Sequence, residues 1–493
     1  MTQASEWVHS WITDRGFAPD HHSGPLDINP STGSPLAFVP NPDPAEVDRV
    51  CQAARLAHSD ARWRGLPVLE RARVLNEMGA IIRQHDQELA RLIAEEMGMP
   101  ESAARFIEVP FAADTFSYYA GWVAQIHGET LPTNIPGAPP QYLAYTLRQP
   151  IGPAGIITPW NFPLLLPSWN IAAALAAGCP VVLKPAPESP LTAIRLAELL
   201  QQADLPEDVV QVLPGDDRVG EQLVRHPQVP KISFTGETAT GQKVLAAAAG
   251  GIKRVSVELG GKSALVVFDD YDLDQAVSQA LFGSFFNSGQ VCQALSRIIV
   301  QDTVYDAFVE RLVERMASFR VGPATDPSTD LGPLVSKARL DVVDGMIQEA
   351  MNAGAKVALG GHMLPEPGFY YAPTVVTDVS PDMRIATQEI FGPVATILPF
   401  HAEADAMAMV EATPYGLAAG VLTHDVRRAL SFARDVEAGT VWVNTVQVLS
   451  PTLPFGGFKH SGLGRELGAA GLEEYLETKT VIVDLNSDPM LYF

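Results

Sequence analysis

The chain has 493 residues, and its 34 Lys and Arg against 57 Asp and Glu give a net charge of -23 at pH 7. Apolar residues make up 47% and charged residues 18% of the chain, which excludes a disordered chain, a collagen and a disulfide-stabilised mini-protein. The length predicts two or three domains, and the acidity argues against a nucleic-acid partner, because binding phosphates needs clustered Lys and Arg.

The N-terminal segment has no basic stretch followed by an apolar run, so we expect no secretory signal. The longest apolar stretches, such as 171–177, are too short to span a bilayer, so we expect no membrane insertion. The three cysteines, Cys51, Cys179 and Cys292, cannot form a disulfide framework, and no Cys/His cluster has zinc spacing. These features predict a cytoplasmic protein without a metal site.

A helix is predicted to begin near residue 44, after 40 residues rich in Pro, Gly and Asn that predict irregular or edge-strand structure. Asp43 stands at the N-cap, Pro44 in the first turn and Glu46 three residues after the cap, which is the pattern of a capping box. Apolar residues then follow at helical spacing, which predicts a buried face. They are Val47, Val50, Cys51 and Ala54.

Residues 128–147 lie between this helical block and the next region, and they show no helical periodicity. The segment predicts a protruding hairpin, because prolines interrupt it repeatedly. These are Pro132, Pro136, Pro139 and Pro140.

From about residue 151 the chain alternates short β-branched runs with helix-like segments, at spacings of roughly 20 to 30 residues, as βαβ units do. The runs lie at 156–157, 181–183, 209–213, 232–234 and 255–257. A second alternation extends from 264–268 to 440–443. We therefore predict an α/β fold with two open, mostly parallel α/β domains in series.

Two features of the first alternation suit a nucleotide. Gly236 follows the run at 232–234 and Gly241 comes five residues later, where glycines let the backbone approach a pyrophosphate at a helix N-terminus. Lys184 follows another strand directly, at the edge where α/β sheets bind ligands.

Four residues with chemically useful side chains stand beside glycines or turns. Cys292 follows a Gly-containing loop that suits delivery of a thiol into a cleft, although no adjacent His or second Cys indicates a lowered pKa. Glu258 precedes a glycine pair, and Glu389 precedes a Gly-Pro turn. Asn161 follows the first strand and offers an amide donor. Taken singly, each has an ordinary structural explanation.

Taken in order, seven motifs resemble the NAD(P)-dependent aldehyde dehydrogenase superfamily, of the hydrolytic, non-acylating type, over almost the whole chain. They are Pro-Trp-Asn-Phe-Pro at 159–163, Lys-Pro-Ala at 184–186, Phe-Thr-Gly at 234–236, Glu-Leu-Gly-Gly-Lys at 258–262, Gly-Gln-Val-Cys at 289–292, Glu-Ile-Phe-Gly-Pro at 389–393 and Pro-Phe-Gly-Gly-Phe-Lys at 454–459, the last followed by Ser-Gly-Leu-Gly-Arg-Glu at 461–466. Their shared order and spacing make a chance agreement negligible.

The resemblance implies three catalytic residues. Cys292 would attack the aldehyde carbonyl, because a thiolate is both a good nucleophile and a competent leaving group. The Asn161 amide and the Cys292 backbone N–H would stabilise the oxyanion. Glu258 would activate the water that hydrolyses the thioester, which suits a carboxylate whose pKa is raised toward neutrality.

The resemblance also implies NAD or NADP as the cofactor, with NAD slightly favoured. Glu389 would hold the nicotinamide ribose, Phe391 would pack near the ring, and Lys184 would bind the adenosine ribose. The complete implied set of cofactor-binding residues is Ile157, Thr158, Pro159, Trp160, Lys184, Gly215, Phe234, Gly236, Glu237, Gly241, Leu259, Glu389 and Phe391.

Two positions depart from the family pattern. Three residues past Lys184, where NAD-preferring members often carry a Glu that grips the ribose, this chain has Pro187, with Glu188 one residue later. NADP therefore stays open. Glu237 stands where Ser is common, and we expect it to turn outward, because a carboxylate facing a pyrophosphate is unfavourable.

The implied domains are a cofactor-binding domain of 1–124 and 149–257, a catalytic domain of 258–476, and an oligomerisation element of 125–148 and 477–493. A protruding hairpin and an unpaired C-terminal strand at 480–483 would expose sheet edges in a monomer. We therefore expect a homodimer or a homotetramer.

The aldehyde tunnel implied by family position is aromatic and contains no Arg or Lys, so we expect an aromatic or medium-chain aliphatic aldehyde. Its residues are Phe162, Trp169, Phe286 and Phe455.

Three alternatives stay open at this point. The first is a semialdehyde dehydrogenase acting on a carboxylated substrate. The second is a CoA-acylating relative, which generally lacks the general-base Glu that this chain has as Glu258. The third is a non-catalytic scaffold protein, which would have no need of Cys292, Glu258 and Asn161 together.

Overall fold

The computed structural model of the chain describes residues 24–133 and 142–486. Within these ranges the chain begins with an antiparallel strand pair and a block of helices: β1 (Leu26–Asn29), β2 (Ser34–Phe38), α1 (Pro44–Ser59), α2 (Val68–Gln84), α3 (Asp86–Met97), α4 (Glu101–Ala103) and α5 (Val109–Trp122). The predicted capping box of α1 is confirmed: the Asp43 carboxylate accepts from the Glu46 backbone N–H at 2.9 Å, and the Glu46 carboxylate accepts from the Asp43 N–H at 2.8 Å.

A six-stranded sheet follows, and its strands are the β-branched runs predicted from the sequence. They are β5 (Ala154–Ile157), β6 (Val181–Lys184), β7 (Val210–Val212), β8 (Lys231–Thr235), β9 (Arg254–Glu258) and the short β19 (Gly462–Leu463). The order is β19-β9-β8-β5-β6-β7, and every pair is parallel except β19 with β9. The helices between these strands are α6 (Leu165–Ala177), α7 (Pro190–Gln201), α8 (Asp217–Arg225) and α9 (Thr238–Ala249).

The second sheet has seven strands in the order β12-β13-β14-β11-β10-β16-β17, parallel throughout except for β12 with β13. Its strands are β10 (Ala264–Val267), β11 (Arg297–Gln301), β12 (Lys356–Leu359), β13 (Thr374–Thr377), β14 (Val394–Phe400), β16 (Ala418–Leu422) and β17 (Thr440–Val443). Its helices are α10 (Leu273–Phe285), α11 (Tyr305–Met316), α12 (Lys337–Asn352), α13 (Arg384–Thr387), α14 (Glu403–Glu411) and α15 (Val426–Asp435). The predicted α/β class with two mostly parallel sheets is confirmed.

A third, antiparallel sheet contains the predicted hairpin, formed by β3 (Thr130–Leu131) and β4 (Tyr142–Pro150). Pro136, Pro139 and Pro140 of that prediction lie outside the described residues. The expectation of an unpaired C-terminal strand is wrong: β20 (Leu476–Asp484) pairs with β4 of the same chain along its full length. The order in this sheet is β20-β4-β3, so β20 and the short β3 are its two edge strands. The remaining short elements are β15 (Tyr415–Gly416), β18 (Phe458–Lys459) and α16 (Gly468–Glu473).

The two large sheets meet where β9 ends, at Glu258, and β10 begins, at Ala264. Residues 259–263 lead from the first sheet to the second, and the Leu259 N–H donates to the Ser461 carbonyl at 2.9 Å. In the first sheet the strands end in register at one edge, which is where open α/β sheets bind ligands. In residues 24–133 and 142–486, none of the helices has the length and apolar character needed to cross a membrane.

Candidate active site

The loop that carries Cys292 is held in an unusual backbone conformation. After α10 ends, Asn287 and Ser288 adopt φ values of 50° and 54°, in the left-handed region that non-glycine residues rarely occupy. Gly289 follows at φ +70°, where a Cβ would lie 2.0 Å from the Gly392 carbonyl oxygen. The Ser288 hydroxyl donates to the Gly332 carbonyl at 2.7 Å. Backbone strain of this kind persists only where the surrounding contacts fix it.

Asn161, from the loop after β5, lies against this same loop. Its side-chain amide donates to the Gln290 carbonyl at 3.1 Å, and the Asn287 amide donates to the Asn161 carbonyl at 3.1 Å. Asn161 is 2% exposed, and its Oδ1 has no hydrogen-bond partner among the described residues. The two interlocked amides place the first sheet's ligand edge next to the segment that precedes Cys292.

Glu258 ends β9 as a buried carboxylate. Neither of its oxygens has a hydrogen-bond partner in the described part of the chain. Burial raises its pKa well above the ordinary value, the negative charges of Glu466 and Glu389 raise it further, and the nearby Cys292 thiol opposes this. The Glu258 carboxyl next to the thiol therefore keeps its proton to higher pH than an exposed glutamate does, and once ionised it is a stronger proton acceptor.

The Cys292 thiol is surrounded by carboxylates rather than by cations. Burial and the negative charges of Glu258 and Glu389 raise its pKa well above the ordinary value, against a smaller lowering by the Gln293 backbone N–H. Cys51 and Cys179 are fully buried, with pKa values raised by burial to about 12 and about 11, whereas Cys292 keeps partial exposure. Of the three thiols, only that of Cys292 has both access and a proton acceptor beside it.

Glu466 joins this group, although sequence reasoning assigned it no role. Its Oε1 accepts from the Asn170 amide at 2.9 Å and from the Thr235 hydroxyl at 3.3 Å, while its Oε2 has no partner among the described residues. Burial raises its pKa to about 7. It stood in the quoted stretch at 461–466, but nothing local indicated that it would lie near a carboxylate about 200 residues earlier.

Glu389 forms a second polar centre in the cleft. Its carboxylate accepts from the Gly261 N–H at 3.3 Å, and a Cβ on Gly260 would lie 2.2 Å from Glu389 Oε2, so any larger residue there would have to displace the carboxylate. Burial raises the pKa of Glu389 to about 7, against lowering effects that include Arg339. This carboxylate is thus held against backbone from the linker between the two large sheets.

Two aromatic residues close the same region from opposite sides. Phe391, which has a left-handed φ of 55°, meets Trp160 edge to face with ring centroids 5.2 Å apart. Trp160 lies just after β5 of the first sheet, and Phe391 lies just before β14 of the second. This contact therefore joins the two large sheets across the cleft.

Lys184 ends β6, one strand in from the β7 border of the first sheet. It is 3% exposed, and burial lowers its pKa while the negative charges of Asp217, Glu188 and Asp216 raise it. Of these acids, sequence reasoning had noted only Glu188. Gly215, at φ +125°, precedes the two aspartates in a turn that favours glycine.

The remaining predicted cofactor residues also lie along this edge. Gly236 donates its N–H to the Glu258 carbonyl at 3.0 Å, and a Cβ on Gly241 would lie 2.4 Å from Leu259 Cδ2, so α9 packs closely on the linker. Glu237 is exposed at the start of α9, and its negative charge contributes to the raised pKa of Glu389. Ile157, Thr158, Pro159 and Phe234 sit at or just after the ends of β5 and β8.

The four predicted tunnel aromatics form two ring pairs. Phe162 stacks on Phe286 with centroids 6.3 Å apart, and Trp169 lies 5.6 Å from Phe455. Both pairs pack in or against the same apolar core that Cys292 contacts. Sequence reasoning missed two further rings, Phe282 against Phe286 at 5.3 Å and Phe111 against Trp169 at 6.3 Å. Neither belongs to a motif, so only the fold brings them to the four predicted rings. We call these six rings the aromatic cluster.

The arrangement combines a thiol, an adjacent carboxyl acting as acid or base, an amide donor and an aromatic wall beside a nucleotide-type sheet edge. Such a site can perform nucleophilic attack on a carbonyl and later deprotonate a water. Across residues 24–133 and 142–486, no cluster of three or more His, Cys, Asp or Glu is arranged to hold a metal ion. The structure brings Cys292, Glu258 and Asn161 together, and their chemical roles stay predictions.

Comparisons with known proteins, by sequence and by structure, point to the same family. A sequence model of the aldehyde dehydrogenase family matches residues 20–481. Human retinal dehydrogenase 2 is 42% identical over 461 residues, covering 93% of this chain and 88% of that protein. The structure of an NAD+ complex of aldehyde dehydrogenase from Bacillus cereus matches with a TM-score of 0.91 at 38% identity, covering 94% of this chain and 93% of that one. An NAD-dependent aldehyde dehydrogenase from Sinorhizobium meliloti matches with a TM-score of 0.93 at 38% identity, covering 97% and 95%.

Proposed function

The chain belongs to the aldehyde dehydrogenase family, and from this premise we propose that it oxidises an aldehyde to the carboxylic acid through a thioester on Cys292. The observation that carries the proposal is the convergence of Cys292, Glu258 and Asn161 at the ligand edge of the first sheet. Three residues far apart in sequence meet there with the chemistry that the reaction needs.

The residues of the cleft fit NAD(P)+. Gly236 and Gly241 place no side chain at the start of α9, the Thr158 hydroxyl is buried without a partner among the described residues, and Glu389 offers acceptor oxygens. In the proposal Glu389 holds the nicotinamide ribose, and Lys184 binds the adenosine ribose. Bound NAD(P)+ supplies the acceptor for the hydride that leaves the substrate.

The first half of the reaction uses the thiol and two hydrogen-bond donors. Cys292 Sγ, once its proton has passed to solvent, forms a bond to the aldehyde carbon, and the carbonyl oxygen becomes an oxyanion. The Asn161 amide and the Cys292 backbone N–H donate to that oxyanion, where charge develops. Collapse of the oxyanion expels the hydride and leaves an acyl thioester on Cys292.

The second half hydrolyses the thioester. Glu258 takes a proton from water as the water oxygen bonds to the acyl carbon, and the C–S bond breaks to release the carboxylic acid and the Cys292 thiolate. A carboxylate with a raised pKa suits this step, because it is a stronger base than an exposed one.

We propose NAD rather than NADP as the preferred cofactor. The acids that surround Lys184, namely Asp217, Glu188 and Asp216, would repel the 2′-phosphate of NADP. They supply this repulsion although Pro187 occupies the position of the family's usual Glu.

The proposed substrate is an aromatic or medium-chain aliphatic aldehyde. The Phe162–Phe286 and Trp169–Phe455 pairs support it, because ring faces bind apolar chains or rings. A carboxylated semialdehyde is the second candidate, since Arg315 lines the same groove as Phe286.

Domain division, assembly and location are further parts of the proposal. We assign the cofactor domain to 1–124 and 149–257 and the catalytic domain to 258–476. The third sheet supports a homodimer or homotetramer, because it exposes apolar side chains at Leu143, Leu147 and Ile482. Three free cysteines suit a reducing cytoplasm.

The proposal is tested by following NAD(P)H formation from benzaldehyde and hexanal without CoA. We expect turnover by the wild type, none by Cys292→Ala, and retained activity in Cys51→Ala, a matched thiol that is buried away from the cleft. Turnover that requires CoA would indicate the acylating reaction. Undiminished activity in Cys292→Ala would reject the proposed nucleophile, and no turnover by the wild type with any aldehyde would favour a non-catalytic role.

A further inference from the structure

A pair of glutamines lies beside the thiol and has no role in the reaction described above. Gln293 directly follows Cys292 and is 4% exposed. Its side-chain amide donates to Gln447 Oε1 at 2.7 Å, and the Gln447 amide donates to the Gly283 carbonyl at 3.0 Å. The pair therefore connects the Cys292 loop, the segment after β17 and helix α10.

The direction of this chain of hydrogen bonds is fixed at one end. A backbone carbonyl can only accept, so Gln447 must present its Nε2 to Gly283 and its Oε1 to Gln293. Gln293 must then present its Nε2 to Gln447. This leaves Gln293 Oε1 as the free end of the chain, and it can act only as an acceptor.

Gln293 Oε1 is buried and has no hydrogen-bond partner in the described part of the chain. Buried polar atoms are nearly always paired, because an unpaired acceptor loses its hydration without compensation. Gln447 also adopts a left-handed φ of 57°, which costs energy for a non-glycine residue. A strained backbone that holds an orphaned acceptor next to a reactive thiol is typical of a site arranged for a ligand.

The position of the pair relates it to the aromatic cluster. Gly283, its anchor, lies one residue after Phe282, a cluster ring, and three before Phe286. Leu449, two residues past Gln447, packs against the same core as Phe286 and Cys292. The hydrogen-bond chain thus links the loop of the proposed nucleophile to the helix that carries Phe282 and ends next to Phe286.

We propose that Gln293 Oε1 selects aldehydes that carry a neutral hydrogen-bond donor, a hydroxyl or an N–H, on the part of the molecule that enters the aromatic cluster. This inference rests on the proposed function and narrows its substrate class to hydroxylated aldehydes, the aromatic ones foremost. A distal carboxylate is disfavoured at this point, because an amide oxygen repels it and offers no proton.

The test compares kcat/KM for benzaldehyde, 3- and 4-hydroxybenzaldehyde and their methyl ethers. The ethers keep the oxygen but carry a methyl group in place of the donor hydrogen. We expect the better hydroxybenzaldehyde to exceed its ether by about tenfold or more, since a buried acceptor discriminates strongly against a ligand that cannot pair with it. Gln293→Met, which is similar in shape and replaces the amide oxygen with a much weaker acceptor, should reduce that ratio to within about threefold.

A second variant tests the fixed direction of the amides. Gln447→Met releases the Gln293 amide, which can then rotate and donate, so the ether should gain relative to the hydroxybenzaldehyde. Gln301→Met, on a strand outside the cleft, is the matched control and should leave the ratio unchanged.

The possible outcomes separate the two levels of the proposal. Equal kcat/KM for the hydroxyl and ether compounds in the wild type, with benzaldehyde oxidised normally, overturns the role of Gln293 and leaves the proposed function intact. A wild-type preference that persists unchanged in Gln293→Met overturns it as well. Failure of the wild type to oxidise any of the aldehydes refutes the proposed function and this inference with it.

Discussion

Gly260 leaves no space for a methyl group beside Glu389, which makes it a sensitive point of the cleft. A Cβ at this position would lie 2.2 Å from Glu389 Oε2, and contacts under 3.0 Å do not occur, so the carboxylate of a Gly260→Ala variant must move by about 0.8 Å. The 3.3 Å hydrogen bond from the Gly261 N–H to Glu389 would break with it.

The expected consequences for stability and for function differ. The atom that must move is the end of a flexible side chain, and losing one weak hydrogen bond costs about 1 kcal/mol. Replacing Gly with Ala recovers about 0.4–1 kcal/mol through the unfolded chain, so Tm should hardly change. A displacement approaching 1 Å in a positioning group can reduce the rate by about 100-fold.

The assay measures the Kd for NAD and kcat/KM for benzaldehyde, with Tm as the folding control. We expect Gly260→Ala to lose about 10- to 100-fold in kcat/KM and to bind NAD more weakly. Gly220→Ala is the matched control, because its nearest neighbours, the Lys184 side-chain carbons, lie 3.9 Å away. A Gly260→Ala enzyme within twofold of wild type in both quantities would refute the assignment of Glu389 to the cofactor.

Three further predictions concern charge in the cleft. Glu466→Gln removes a negative charge that raises the pKa of Glu258, so the acidic limb of the kcat/KM profile should shift to lower pH; a shift upward, or none, contradicts this coupling. Burial raises the pKa of Glu389 to about 7, and its carboxylate accepts hydrogen bonds best when ionised, so NAD should bind more tightly as the pH rises through 7. Fluorescence titration of the Glu389→Gln variant should show weaker NAD binding that no longer changes with pH in this range. Asp217→Asn should raise the NADP/NAD ratio of kcat/KM severalfold, and an unchanged ratio would remove this acid from cofactor selection.

The parts of the fold that the sequence predicted are those set by local signals. The capping box at Asp43 and Glu46 is complete within four residues, and the strand at 181–183 is marked by its own β-branched run. The parallel sheets follow because helices separate successive strands. The partner of β20 was not predictable in this way, since its pairing with β4 joins segments over 300 residues apart.

The same distinction between local and long-range signals applies to the candidate site. Cys292 stands in a recognisable motif, yet nothing near it in sequence indicates the carboxylates that surround it, because Glu258, Glu389 and Glu466 come from three other segments. Phe282 and Gln447 escaped notice for the same reason, as neither belongs to a motif and each acquires its neighbours only in the folded chain.

The most direct test of the central claim is the mass of the intact Glu258→Gln protein after mixing with benzaldehyde and NAD. We expect a covalent acyl adduct that persists because water is no longer activated, that maps to Cys292 by peptide analysis, and that is absent from a Glu258→Gln/Cys292→Ala double variant. An adduct on another residue, or steady turnover by Glu258→Gln at the wild-type rate, would contradict it.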